Sequence, residues 1–286
     1  MILVTGATGQ LGTATIEHLL NNISSHKIMA FARDENKAKH LKEKGVRFRL
    51  GNFEDTASLD AAMQGIEKVL LISTIDHDRF QQHKNVVDAA KKAGVKHIAY
   101  TGVTLKDVNT SAVKFLMDSH FQTEDYIKES GLNYTFLRNS LYAEVIPMYV
   151  GEKVFEAGIY LPTGNGKVGY ALRREMGEAA ANVLLQNGHE NKTYQITGSE
   201  LYSYQDVANK LSLLSDKTVN YTDADAATFP DKLKEHGVPE LRILIASGFS
   251  ADIKNGQYEI VSNDLENLLG RKSATLKESL KEIYNL

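Results

Sequence analysis

Three glycines, Gly6, Gly9 and Gly12, follow the apolar run Ile2-Leu3-Val4 at three-residue intervals. A chain that leaves a strand and turns at once into a helix can use such glycines to hold a phosphate. The first permits the tight turn, the second lets backbone approach a pyrophosphate, and the third lets helix and strand pack closely. A helix N-terminus carries free amides and the positive end of a dipole. The amides of Gln10 and Leu11, with Thr8 in the loop, are therefore expected to face the phosphates. The spacing differs by one residue from G-x-G-x-x-G, and a plain strand–turn–helix corner is the alternative reading. Its place after the first strand and ahead of further strand–helix units favours dinucleotide binding.

The dinucleotide is chosen by charge at the end of the second strand. NAD binders place a carboxylate there, about 20 residues after the glycines, for the ribose 2′-hydroxyl. Here the segment reads Ala30-Phe31-Ala32-Arg33-Asp34, with the acid one residue late. A guanidinium can hold a 2′-phosphate bidentately, and such charged hydrogen bonds contribute about 1.5–3 kcal/mol. The expected cofactor is NADP(H), with Arg33 on the 2′-phosphate and Asp34 capping the next helix. A solvated surface Arg33 is the alternative.

Short-chain dehydrogenases usually carry Tyr-x-x-x-Lys on the helix after the fifth strand, where the Lys lowers the Tyr pKa. The only such spacing here is Tyr149 to Lys153, after the sixth strand and with Gly151 inside it, so it is set aside. The helix expected over Ala112–Glu129 has a stripe of Val113, Leu116, Met117, His120, Glu124 and Ile127 at helical spacing. His120 and Glu124 thus take the place and spacing of the missing pair. His120 is the candidate proton donor or polariser near neutral pH. The alternative is a His that merely satisfies a buried spot by pairing with Glu124.

Asn139 and Tyr142 are expected after the end of strand six, where open α/β sheets bind ligands, and Tyr142 is a second catalytic candidate. Ser73, Thr74, Thr101 and Gly102 are expected after strands four and five at the same edge. Asn52, after strand three, is placed to meet the adenine. Each could instead be a cap or turn residue. His77 and His83 lack metal-ligand spacing, and no metal site is expected.

The elements that must position these groups are strands Ile2–Thr5, Lys27–Ala32, Val46–Leu50, Lys68–Ser73, His97–Tyr100 and Tyr134–Leu137. Helical patterns lie between them, among them Gln10–Asn21, Glu35–Lys44, Thr56–Met63 and Arg79–Ala93. Gly45, Gly65, Gly94 and Gly131 suit helix C-termini. This alternation predicts a doubly wound parallel sheet of Rossmann type over residues 1–140. Residues 141–286 lose the rhythm and are expected to form a smaller α/β substrate domain. Helices are expected at Arg174–Gln186, Tyr204–Leu214, Ser262–Leu269 and Thr275–Tyr284. A strand at Thr193–Thr197 is placed to rejoin the sheet.

With 33 basic and 36 acidic residues the net charge is -3, which gives no reason to expect nucleic acid or an anionic membrane. No apolar run approaches the ~18 residues that span a bilayer. Cysteine is absent, which excludes disulfides, thiolate nucleophiles and cysteine-bound metal. No basic segment precedes the first strand, so no secretory signal is expected and the expected compartment is the cytoplasm.

The glycine motif, Arg33, and the stretches 96–102 (KHIAYTG), 134–139 (YTFLRN) and 188–194 (GHENKTY) together resemble the NmrA-like atypical short-chain dehydrogenase/reductases. The resemblance runs over nearly the whole chain and is strongest to bacterial members that reduce quinones and triphenylmethane dyes. It implies a substrate cleft between the two domains and hydride transfer from NADPH to a quinone or cationic dye. It also implies a His at the position of His120 in place of the Tyr-Lys pair. The chain is expected to be a monomer or homodimer. The chain departs from the pattern at Asn52 and at Ser140-Leu141, the latter in the substrate pocket. Two other functions are weighed: a non-enzymatic NADP(H) sensor and an epimerase, which would need the Tyr-Lys pair.

Overall fold

The computed structural model describes all 286 residues. The first half runs β1 (Ile2–Val4), α1 (Gln10–Asn22), β2 (Ile28–Ala32), α2 (Glu35–Glu43), β3 (Arg47–Leu50), α3 (Thr56–Met63), β4 (Lys68–Ile72) and α4 (Arg79–Lys92). It ends with β5 (His97–Val103), α5 (Lys114–Ser130) and β6 (Asn133–Asn139). The second half runs α6 (Ile146–Val150), α7 (Val154–Ala157), β7 (Ile159–Leu161), α8 (Arg173–Leu185), β8 (Lys192–Ile196), α9 (Tyr204–Ser215) and β9 (Tyr221–Asp223). Helices α10 (Phe229–Glu235), α11 (Glu240–Lys254), α12 (Asp264–Leu269) and α13 (Leu276–Tyr284) complete it.

Seven strands form one parallel sheet in the order β3-β2-β1-β4-β5-β6-β8. Strands covered by helices on both faces should be apolar throughout, and every residue of β1, β2 and β5 is buried. The edge strand β3 instead carries Arg47 and Arg49 and is partly open, a pattern that discourages pairing with another chain. The chain reverses direction along the sheet between β1 and β4, which opens a crevice beyond their C-terminal ends. Thr5 Oγ1 fixes that junction, donating to Leu70 O at 3.1 Å and accepting from Ile72 N at 2.9 Å.

Three cores follow from this layering. Leu11, Ile16 and Leu19 of α1 pack with Met176, Ala180 and Val183 of α8 on one face of the sheet. Leu59 of α3, Val86 of α4 and Ile127 of α5 fill the other. The third core, with Val154, Tyr204, Phe229, Tyr258 and Leu280, joins the second half to Val103 of β5 and Met117 of α5, and there β7 and β9 make a separate two-stranded parallel sheet.

Several boundaries differ from the sequence expectation. Strand β5 runs on through Thr101 and Gly102 to Val103, and β6 through Asn139, because their pairing continues to Val103 opposite Asn139. Thr101, Gly102 and Asn139 are therefore strand residues and not loop residues beyond the strand end. Helix α5 starts at Lys114, not Ala112, because Asp252 of α11 accepts from Ala112 N at 2.6 Å and Ser111 Oγ accepts from Val113 N at 3.1 Å. The sequence expectation lacked α6, α7, α10, α11, β7 and β9. The two strands have only three residues each, and α11 has no clean apolar face.

Candidate active site

The turn after β1 is shaped by its glycines. Gly6 has φ +58, and its carbonyl accepts from Gly9 N at 2.9 Å. A Cβ on Gly12 would lie 2.3 Å from Gly6 O, so only glycine lets α1 come this close to the turn. Gly9 occupies the N-cap with no side-chain cap, and the first turn contains no acid. Gln10 and Leu11 therefore open the helix with amide donors free for an anion, and Thr8 sits half-buried in the turn beside them.

A second helix points the same way. Gly177 of α8 lies against Ala14, where an added Cβ would be 2.8 Å from Ala14 Cβ, and Asn182 Oδ1 meets His18 Nε2 at 3.0 Å. Both contacts advance along both helices together, so α1 and α8 are parallel and their N-termini open at the same end. Arg173 and Arg174 begin α8. Cations at a helix N-terminus oppose its dipole, and here they are matched by carboxylates: Arg173 pairs with Glu144, and Arg174 with Glu282 and with Glu175 of the same turn. Arg173 Cζ stands 4.2 Å over the ring of Tyr142 and its backbone N donates to Glu144 at 2.9 Å.

The predicted residues meet along the C-terminal edge of the sheet. In strand order they are Asn52 after β3, Arg33 after β2, the glycine turn after β1, Ser73 and Thr74 after β4, Thr101 and Gly102 in β5, and Asn139 in β6. Five strand spacings of about 4.8 Å make this row roughly 24 Å long. Arg33 is exposed and takes part in no ion pair, while Asp34 caps α2 by accepting from Asn36 N at 2.8 Å. Ser73 keeps its hydroxyl free and donates its amide to Thr101 Oγ1 at 3.0 Å. Tyr142, half-buried, lies beside the Asn139 amide, and burial raises its pKa.

Some of the expected residues have other work. The Asn52 side-chain oxygen Oδ1 accepts from Glu54 N and Asp55 N at 2.9 and 2.8 Å, leaving only its NH2 to meet a base. Thr101 Oγ1 ties β5 to β4, and Thr74 is spent on α4, with N and Oγ1 donating to His83 Nε2 and Gln82 Oε1. Gly102 matters for space, since a Cβ there would lie 3.1 Å from Glu124 Oε1.

The pairing of His120 with Glu124 is corrected. Glu124 instead takes Arg138 in a bidentate ion pair, Nε to Oε1 at 2.9 Å and Nη2 to Oε2 at 2.6 Å, which raises the Arg138 pKa. Helical spacing brought both residues to one face, but Arg138 of β6 offers Glu124 a two-pronged cationic partner that a neutral imidazole does not. His120 Nδ1 meets the hydroxyl of Tyr100 at 2.8 Å. Its Nε2 has no protein partner and is not sealed off.

Behind His120 lies a buried polar group that sequence reasoning missed. Tyr100 is fully buried, its ring 5.3 Å from that of His83. His83 Nδ1 meets Thr123 Oγ1 at 3.0 Å, and that hydroxyl donates to Ser119 O at 2.7 Å. Arg79 is buried without a carboxylate partner and donates to Thr74 O, to Leu116 O at 2.6 Å and to Ser119 Oγ at 3.1 Å. Burial, reinforced by the Arg79 charge, lowers the His83 pKa to about 3. Burial first, then Arg79 and His83, holds His120 well below the usual histidine range, so it is neutral. The signal for Tyr100 was a phenol in the middle of a fully buried strand, which had to find a partner. No group of three or more His, Asp or Glu side chains stands close enough to hold a metal ion.

Comparison with known proteins agrees with this architecture. The chain is 37% identical over 289 residues to quinone oxidoreductase 2 of Escherichia coli (strain K12), covering 100% of this chain and 99% of that one. It is 31% identical to an NAD(P)H azoreductase of Xenophilus azovorans, over 84% of this chain and 82% of that one. The crystal structure of the Citrobacter sp. triphenylmethane reductase complexed with NADP(H) superposes with a TM-score of 0.90 at 36% identity, over 99% of each chain. Residues 1–282 match the model of the NmrA-like family. With that match over almost its entire length, the chain belongs to the NmrA-like family.

Proposed function

We propose that the protein is an NADPH-dependent reductase that passes hydride to a small quinone or a similar planar aromatic acceptor. The observation that carries this reading is the row of candidate groups along one sheet edge, from unpaired Arg33 through the glycine turn to Ser73 and Asn139. The close relatives, a quinone reductase and an azoreductase, support the same chemistry.

The residues fit the cofactor. The α1 amides and the glycine turn hold the pyrophosphate, and Arg33 holds the 2′-phosphate. The Asn52 amide meets the adenine, and Ser73, Gly102, Asn139 and Tyr142 line the nicotinamide end. Arg173, paired with Glu144 at the second helix N-terminus, stacks over the Tyr142 ring and holds it in place. Bound NADPH supplies the hydride.

A quinone accepts hydride at once when it is held close, so positioning does much of the work. The quinone takes one hydride and one proton, and the proton comes from water. His120 Nε2 stabilises the charge that develops on the acceptor oxygen. Apolar Ile75, two residues past Ser73, is exposed beyond the end of β4 and suits a flat apolar acceptor. No helix is long and apolar enough to cross a membrane.

The test is NADPH oxidation across small quinones, dyes and aldehydes, with NADPH binding followed separately. Turnover with quinones is expected. Tight NADPH binding without turnover of any acceptor would mark a nucleotide sensor instead.

A further inference from the structure

We propose that Tyr100 is a positioning residue for His120: its hydroxyl donates to Nδ1 and fixes the neutral imidazole with its hydrogen on Nε2. The inference rests on the reductase reading and names the group that orients its histidine.

Three observations carry it. The first is distance, since Tyr100 Oη and His120 Nδ1 are 2.8 Å apart and both residues are buried. The second is an accounting of hydrogens around that contact. The Thr123 hydroxyl gives its hydrogen to Ser119 O and meets His83 Nδ1. His83 Nε2 accepts from Thr74 N at 3.4 Å, so the His83 hydrogen sits on Nδ1 and points at Thr123. A hydrogen on His120 Nδ1 would turn the Tyr100 O–H away from this 2.8 Å contact, toward a Thr123 Oγ1 that already meets His83 Nδ1, and weakening a buried hydrogen bond costs free energy. With the Tyr100 hydrogen directed at Nδ1, the Nε2–H is left without a partner in the protein.

The third is charge. The groups facing His120 are Arg79 and His83 from α4, Tyr100 from β5, Glu124 from its own helix, and Arg138 bound to Glu124. The one carboxylate is already neutralised and the free charge nearby is Arg79, so the surroundings oppose an imidazolium. A neutral imidazole can still donate from Nε2, provided that its tautomer is fixed. Tyr100 fixes it.

The role is electrostatic, so it should be felt only by acceptors that develop negative charge on oxygen. A quinone does; a triphenylmethane cation, which loses its charge on accepting hydride at carbon, does not.

The test uses the full chain with NADP+ bound and labelled with 15N at its histidines. The His120 signals are assigned by their loss in His120→Gln. In the wild type, Nε2 is expected to carry the hydrogen and Nδ1 to be unprotonated at neutral pH; hydrogen on Nδ1 overturns the proposal, whatever the variants do. In Tyr100→Phe the two nitrogens should move toward a tautomer average. The same variant should lower kcat for a quinone about tenfold, the worth of one hydrogen bond. KM and the rate with a cationic dye should stay within about twofold. Equal losses for quinone and dye, or no loss for the quinone, would reject the role. If the wild type turns over no quinone, the reductase reading fails while the nitrogen signals still report the tautomer.

Discussion

Arg138 grips both oxygens of Glu124, at 2.9 and 2.6 Å, and the carboxylate is 2% exposed. Removing the guanidinium leaves a buried charge without a partner, a change that costs about 3–5 kcal/mol when the pair is fully enclosed. Arg138 is 26% exposed, so Arg138→Met is expected near the lower end. Urea unfolding checks it, and Glu124→Met with Arg138→Met should recover most of the loss. A single-variant cost under about 1 kcal/mol would mean that water reaches the carboxylate.

Arg33 has no acidic partner and Asp34 is turned into its own helix. Arg33→Ala should weaken NADPH binding roughly ten- to hundredfold, the worth of a charged hydrogen bond. NADH binding should change little. Calorimetric titration of both nucleotides decides it, and equal losses would remove Arg33 from the 2′-phosphate.

His120→Ala should slow quinone reduction about tenfold or more while dye reduction stays within about threefold. Steady-state assays with both acceptors check this. Equal slowing would leave His120 a shaper of the pocket.

His83 is buried and neutral, with its pKa lowered to about 3 from an unfolded value of 6.5. Between those values the unfolded chain binds a proton that the folded chain does not. Stability therefore rises with pH through this window and is lost as pH falls below about 6.5, at about 1.4 kcal/mol per unit per histidine. His120, lowered as well, adds a change of the same sign. From pH 6.5 to 5 the folded state should lose about 2 kcal/mol through His83 alone. His83→Gln should flatten the slope by that amount in urea melts taken at both pH values. Parallel slopes would mean that His83 protonates freely in the folded protein.

The first half of the fold was readable because its rules are local. Apolar runs of parallel strands, aspartates that cap α2 and α3, and Gly131 closing α5 each act within a few residues. The site was only partly readable, for the opposite reason. Helical periodicity put His120 and Glu124 on the buried face, but their partners come from β5 and β6, which no spacing along α5 can name. Asn52 and Thr101 have the residue types of ligand contacts, yet a turn and a neighbouring strand had already taken their oxygens. The α10–α11 hairpin escaped because its half-exposed helices lack a clean apolar stripe.

The packing of α1 on α8 also sets an order of events in synthesis. Leu11, Ile16 and Leu19 are covered by side chains from residues 176–184, about 160 positions later in the chain. A ribosome adding about 5–20 residues per second would leave that face bare for roughly 8–30 s. The strand partner of β6 arrives later still, with residues 192–196. The nucleotide cradle is encoded first and finished late, with an apolar helix face uncovered in between.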